Sequence, residues 1–416
     1  MPTIKHLINY FQVFKLSRRP LYILCLMMLF WALYDGTMSY LAPILIVNSG
    51  LSKTLMGIIV GTSSVAGALF DFIVCQLFTN THYRRLFMVM FAVCLVYPLI
   101  LFGANTFVVY LIAMAMWGVY FDLKNIANFD YVSRYTDKRE HTDSFGLLQV
   151  FSSMGYLIAP IIVGLLVAES VDWRPAIMAW IFLVISLFFF AVLCLLSHKM
   201  KVVCEVETTC SKRKIWAEVK IWSKIGKVLL PVLLLTFFLN FFDAFFWTIG
   251  PLLAESLATL HRFAGFFMVA YTLPALLVGW FVGAFTRYFG KKRTAFTSLF
   301  VGSVLLSLMF FIENPVIMII EVFISSLFIS MSWPAINGTY ADYISETAQY
   351  EKEIEGLEDF YTNLGYIFGP IFSGFIADKL GNTNAFGLLG LAGVLVSIAL
   401  LLFTPKKITI KKALGS

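Results

Sequence analysis

Twelve times along this chain the sequence runs for about twenty residues with almost no charge, the length a helix needs to cross a bilayer core about 30 Å thick. The runs are 21–47, 54–79, 86–103, 106–132, 145–168 and 175–197, then 228–253, 262–287, 294–312, 315–342, 357–380 and 384–404. Strands of a membrane barrel alternate apolar and polar residues. Runs such as Leu229 to Phe238 do not, so helices remain. Only 13% of the 416 residues are charged, about half the share of a soluble domain. The expected fold is an all-α integral membrane protein.

The net charge of +7 could suggest nucleic acid, but its placement argues for a membrane. With the N-terminus inside, 26 of the 31 basic residues fall on the inner side, among them Arg84, Arg85, Arg134, Arg287 and Lys291 to Arg293. Only Lys53, Arg174, Arg262 and Lys379 fall outside, and Lys124 lies within a span. Cytoplasmic loops carry such an excess of Lys and Arg, so both termini are expected in the cytoplasm of a cell with this protein in its plasma (inner) membrane. Residues 1–19 read as a cytoplasmic amphipathic segment lying on the membrane surface. The six cysteines lie in spans or in the central inner loop, so no disulfide is expected.

A basic stretch at 198–227 divides the chain. It is read as a cytoplasmic linker between six-helix bundles at 20–197 and 228–404, with a tail at 405–416. The bundles repeat each other. Asp35 and Pro43 match Asp243 and Pro251, and Gly57 matches Gly265, all at an offset of 208. Asn125, Asp130, Tyr131 and Ser133 match Asn337, Asp342, Tyr343 and Ser345 at 212. Gly155, Tyr156, Pro160 and Gly164 match Gly365, Tyr366, Pro370 and Gly374 at 210. An ordered series with so little drift indicates a duplicated six-helix unit. Because six is even, the two units share one topology and face each other across an axis along the membrane normal.

The fifth span reads Gly146, eight residues, Gly155, three residues, Ala159-Pro160, two residues, Val163-Gly164, and the eleventh repeats it with Gly356, Gly365, Gly369-Pro370 and Ser373-Gly374. A second pattern, Gly283, Arg287, Gly290 and Lys291, closes the eighth span. A third is Asp35 followed by Pro43. With these motifs the chain resembles the major facilitator superfamily over essentially its whole length. The resemblance implies twelve helices in two six-helix repeats around a central cavity, lined in part by the first and seventh helices. The fifth-span motif resembles the antiporter signature of that family's drug:proton branches. The same small residues and proline also serve close helix packing, and both readings stand. The eighth-span pattern is similar to the family's gating loop, with Arg287 where an aspartate is usual. The arginine that the family often places in the fourth span is missing, and Lys124 is the basic residue there.

Ionisable residues at bilayer depth are costly, about 2.5–3.5 kcal/mol each on insertion scales, and mark functional positions. The candidates are Asp35, Asp71, Asp122, Lys124, Asp243 and Glu321. Asp35 and Asp243 stand at matching depth and are expected to share one chamber as proton carriers, with Asp122 and Glu321 as further candidates. Lys124 is expected to pair with an acid on another helix, such as Asp71. Phe242, Phe246 and Trp247 neighbour Asp243 on the helical wheel. With Asn125, Asn337 and Lys124 they are the expected substrate cavity. The packing and gating set is Gly146, Gly155, Pro160, Gly164, Gly365, Pro370, Gly374, Gly283, Arg287 and Gly290.

No Gly-rich phosphate loop, zinc motif or nucleophile-base set is visible, so the chain is read as neither an ATP motor nor an enzyme, with no cofactor or metal. Five buried acids against one base suit protons and cationic, amphipathic solutes. The expected function is secondary active transport by alternating access, as proton-coupled multidrug-type export by a monomer with a small-molecule substrate and no nucleic acid. The alternatives are a proton-coupled symporter for a nutrient such as a sugar, or a non-transporting sensor on the same fold.

Overall fold

The computed structural model describes residues 19–77, 82–136, 141–167, 172–197, 215–258, 260, 266–279, 281–347 and 350–404. The expected N-terminal surface helix, most of the linker and the C-terminal tail lie outside them, as does the side chain of Asp71.

The first half is built of α1 (Arg19–Asn48), α2 (Lys53–Leu77), α3 (Tyr83–Gly103), α4 (Phe107–Tyr135), α5 (His141–Val167) and α6 (Arg174–Ser197). The second half has α7 (Ile215–Ala258), α8 (Phe267–Val278), α9 (Val282–Phe289), α10 (Lys291–Ser307), α11 (Pro315–Glu346), α12 (Glu351–Leu380) and α13 (Asn382–Phe403). The helices coincide with the twelve expected spans, α8 and α9 together making the eighth, bent by 63°. Among the described residues ten helices are long and apolar enough to cross a membrane, and the bent pair makes an eleventh. The eleventh run in chain order, α12, falls short because Thr362, Asn363 and its glycines replace apolar residues. It packs between α7 and α2. The end of the expected linker, from Ile215, is helical and continuous with the seventh span.

The two halves repeat one packing scheme. In the first, α1 packs on α5, and α4 on α2 and α3; in the second, α7 packs on α12, and α11 on α8 and α10. The duplicated Asp130 and Asp342 sit at one end of the molecule, beside the basic loops. Asp130 accepts the backbone N–H of Tyr83 at 2.8 Å and the Arg134 Nε at 2.6 Å, capping the start of α3. Asp342 accepts Lys291 Nζ at 2.6 Å at the start of α10. Asp130 meets an unpaired N–H group and the positive end of the helix dipole, whereas Asp342 forms an ion pair with the first residue of α10.

The halves meet through α2 on α12, α5 on α8 and α1 on α7. At the end opposite the basic loops, α2 and α12 lie backbone to backbone. A Cβ on Gly57 would stand 2.1 Å from the Pro370 carbonyl oxygen, and one on Gly374 would stand 2.1 Å from the Lys53 carbonyl oxygen. Asp378 of α12 then accepts the N–H groups of Lys53 (3.1 Å) and Thr54 (2.8 Å) and the Thr54 hydroxyl (2.5 Å). Lys53 Nζ donates to Asn382 Oδ1 at 2.6 Å. The N-terminus of α2 is therefore capped by the other half of the protein, and this end of the molecule is closed.

Candidate functional site

Asp35, midway along α1, is 1% exposed. A carboxylate so buried must have its lone pairs met by donors. Trp117 Nε1 (2.9 Å) and Tyr120 hydroxyl (2.7 Å) donate to Oδ1, and Tyr156 hydroxyl donates to Oδ2 at 2.7 Å. Trp117 and Tyr120 are three apart on α4 and share its face. Tyr156 stands beside Gly155 on α5, and Gly155 is pressed against the Leu29 carbonyl of α1, which brings the phenol within reach.

The second half builds the same arrangement with one exchange of helix. Asp243 on α7 accepts the Tyr366 hydroxyl at 2.6 Å and the Tyr271 hydroxyl at 2.5 Å. Tyr366 is the repeat partner of Tyr156, and its neighbour Gly365 packs on the Phe237 carbonyl of α7. Tyr271 comes from α8, where the first half uses α4. Asp243 is half-buried, more open than Asp35. Across the boundary Tyr156 meets Trp247 edge to face, with ring centroids 6.0 Å apart. One tyrosine thus ties the acid of one half to the aromatic wall of the other.

The profile described as Major Facilitator Superfamily matches the sequence twice, over residues 22–242 and 232–415. The chain belongs to the major facilitator superfamily. A comparison with curated protein sequences found no match. Among solved structures, a crystal structure of a variant of the nucleoside transporter NupG is similar at a TM-score of 0.71 and 14% identity, covering 94% of this chain and 100% of that one. A second NupG crystal structure gives 0.66 and 16% at the same coverage. At such identities the likeness is one of fold. Superfamily membership makes the chain an integral membrane transporter with two repeats.

The remaining expected residues of this superfamily member fall in several places. Phe242 and Phe246 have no exposed surface. Phe246 stacks on Tyr271 at 4.0 Å, and Phe242 stacks on Phe246 at 5.4 Å, so both support the second bundle from behind Asp243 rather than line an open surface. Trp247 is half-buried at the boundary. Asp122 turns away toward α2, where its Oδ2 would lie 2.2 Å from a Cβ on Gly67. Glu321 is 7% exposed on α11, with neither carboxylate oxygen hydrogen-bonded. Asn125 is half-buried and Asn337 exposed. Lys124 does not reach an acid among the described residues. Its Nζ lies 3.9 Å from the Phe121 ring centroid and 4.8 Å from that of Trp31.

Of the packing set, Gly155, Gly365 and Gly374 sit against backbone, Pro160 and Pro370 are buried, and Gly164 is half-buried. Gly146 has open space around it. Gly283 is almost as free, with Arg287 at 3.9 Å, and Arg287 itself is exposed. Gly290 joins α9 to α10 at φ +85°, a backbone conformation that disfavours any side chain. The indole donor Trp117 and the hydroxyl donors Tyr120 and Tyr271 were not among the expected site residues. The spacing of Trp117, Tyr120 and Lys124 on one helix face was the available signal.

Proposed function

We propose that this protein is a proton-coupled secondary transporter of small, neutral, polar solutes, in which Asp243 exchanges the proton and Asp35 orders the first half of the site. The observation that carries this reading is the mirrored pair of carboxylate–tyrosine contacts, Asp35 with Tyr156 and Asp243 with Tyr366. A carboxylate that accepts phenol hydrogen bonds on both oxygens offers a cation little free surface. A polar solute can exchange hydroxyls with those phenols at small cost, because each broken bond is replaced.

The acid count that suggested cationic substrates supports them less once position is considered. Asp122 packs toward α2 and Glu321 lies in α11, which leaves Asp35 and Asp243, with Lys124 against the Phe121 and Trp31 rings of the first half. The nucleoside transporter fold of the structural neighbours is in keeping with a neutral polar solute. Charge bias along the sequence supports cytoplasmic termini, so the closed end described above faces outside. Alternating access then proceeds by rocking of the halves, which parts the α2–α12 contact when the outer end opens. Membrane potential contributes about 2.3 kcal/mol per proton per 100 mV.

The test is tritiated uridine or glucose uptake into proteoliposomes with an imposed inward pH gradient. Gradient-driven accumulation is expected in the native protein. In Asp243→Asn it should vanish while solute counterflow persists. Retained accumulation in that variant overturns the proton assignment. Gradient-driven movement of tetraphenylphosphonium, with none of the neutral solutes, would return the reading to cation export.

A further inference from the structure

We infer that Lys124, one turn beyond Tyr120 on α4, is a solute-anchoring cation, and that it takes a carbonyl or hydroxyl oxygen of a neutral, oxygen-rich solute. The inference deepens the proposed function and rests on it. An ammonium carries three N–H donors and no acceptor, so a half-buried one needs oxygen around it. Lys124 has no hydrogen bond and no ion pair among the described residues. It has two aromatic faces, Phe121 at 3.9 Å and Trp31 at 4.8 Å. Cation–π attraction offsets part of the desolvation but satisfies no N–H group.

The charges that act on Lys124 are those of Asp35 and Asp122, and neither is placed to take its donors. Asp35 already accepts three hydrogen bonds on its two oxygens. Asp122 projects against Gly67 on the far side of α4. Lys124 extends the face of α4 that begins with Trp117 and Tyr120, four residues beyond the latter. The side chains that hold Asp35 therefore also fix the approach to the ammonium. A solute oxygen there would complete the N–H shell. An anionic solute would add a third negative charge to the two carboxylates against one ammonium, which favours a neutral one.

Binding of tritiated uridine and glucose to the purified full-length protein tests this, with Lys124→Gln and Lys124→Arg compared with native protein of matched melting temperature. A hydrogen bond from a charged group corresponds to a loss of about 10- to 100-fold in affinity for Lys124→Gln, with Lys124→Arg holding most of it. In the native protein the bound probe should also protect Lys124 from acetylation, read by peptide mass spectrometry, which needs no variant to fold. Unchanged affinity in Lys124→Gln, or acetylation unaffected by a bound probe, overturns the role of Lys124 and leaves the proposed function standing. Failure of the native protein to bind either neutral probe overturns both.

Discussion

Replacing Gly57 by alanine should prop open the closed end of the transporter. The methyl group would lie 2.1 Å from the Pro370 carbonyl oxygen, 2.8 Å from its carbon and 3.2 Å from the Ile371 Cα. All three are backbone atoms, so no rotamer change relieves the overlap. Restoring an ordinary contact needs about 1 Å of separation between α2 and α12. The bonds from Asp378 to Lys53 and Thr54, at 2.5 to 3.1 Å, have no such slack and would weaken together. Overpacking of this kind costs about 1–3 kcal/mol, which shifts a closed-to-open ratio by about five- to more than a hundredfold. The assay is an electron spin-echo distance measurement between labels on Ser49 and Asn314, which stand at this end on opposite halves, with the native cysteines replaced. Native protein should give a short-distance population and Gly57→Ala a new, longer one. A distribution that superimposes on the native one, from a variant of unchanged melting temperature, would refute the view that backbone contact between α2 and α12 forms the closure.

Two further substitutions separate this closure from ordinary stability. Asp378→Ala removes the cap that the second half places on α2 and should shift the same distance distribution in the same direction, by about 1 kcal/mol, because Ser52 still accepts the Leu55 N–H. Asp130→Ala frees the Tyr83 N–H and Arg134 within one half. It should lower the melting temperature, by a loss of about 1–2 kcal/mol, while leaving the label distances unchanged.

The repeat was legible because duplicated chemistry leaves matched residues. Asp130 and Asp342 match in sequence and contact the first residue of equivalent helices, Tyr83 through its backbone N–H and Lys291 through its ammonium. Tyr156 and Tyr366 were visible in the same series, but a tyrosine beside a packing glycine says nothing of where its hydroxyl ends. The remaining donors escaped for a different reason. Trp117 and Tyr120 correspond at the offset of 212 to Ile329 and Ser332, so comparing the halves conceals them. The second half recruits Tyr271 from α8 instead, whose counterpart at the offset of 208 is Ser63. Divergence after duplication kept the acids and moved the donors. Phe242 and Phe246 show a separate limit. A helical wheel ranks neighbours by angle, yet only the packing of Tyr271 and Phe386 against Phe246 decides which side of α7 is interior to the bundle.

The unequal setting of the two acids bears on the mechanism. Asp35 is sealed by three donors, one of them from the helix that also touches the other half. Asp243 accepts two phenol hydroxyls, has the Trp247 indole as a further hydrogen-bonding neighbour, and is half-buried. Asp243 is thus the more open of the two acids. Tyr156 joins the events. Its bond to Asp35 is internal to the first half and survives a rigid rotation of the halves, whereas its edge-to-face contact with Trp247 crosses the boundary and cannot. Trp247 lies one helical turn beyond Asp243, on the same stretch of α7. In the proposed mechanism, a change of charge at Asp243 and the parting of the halves act on the same turn of helix.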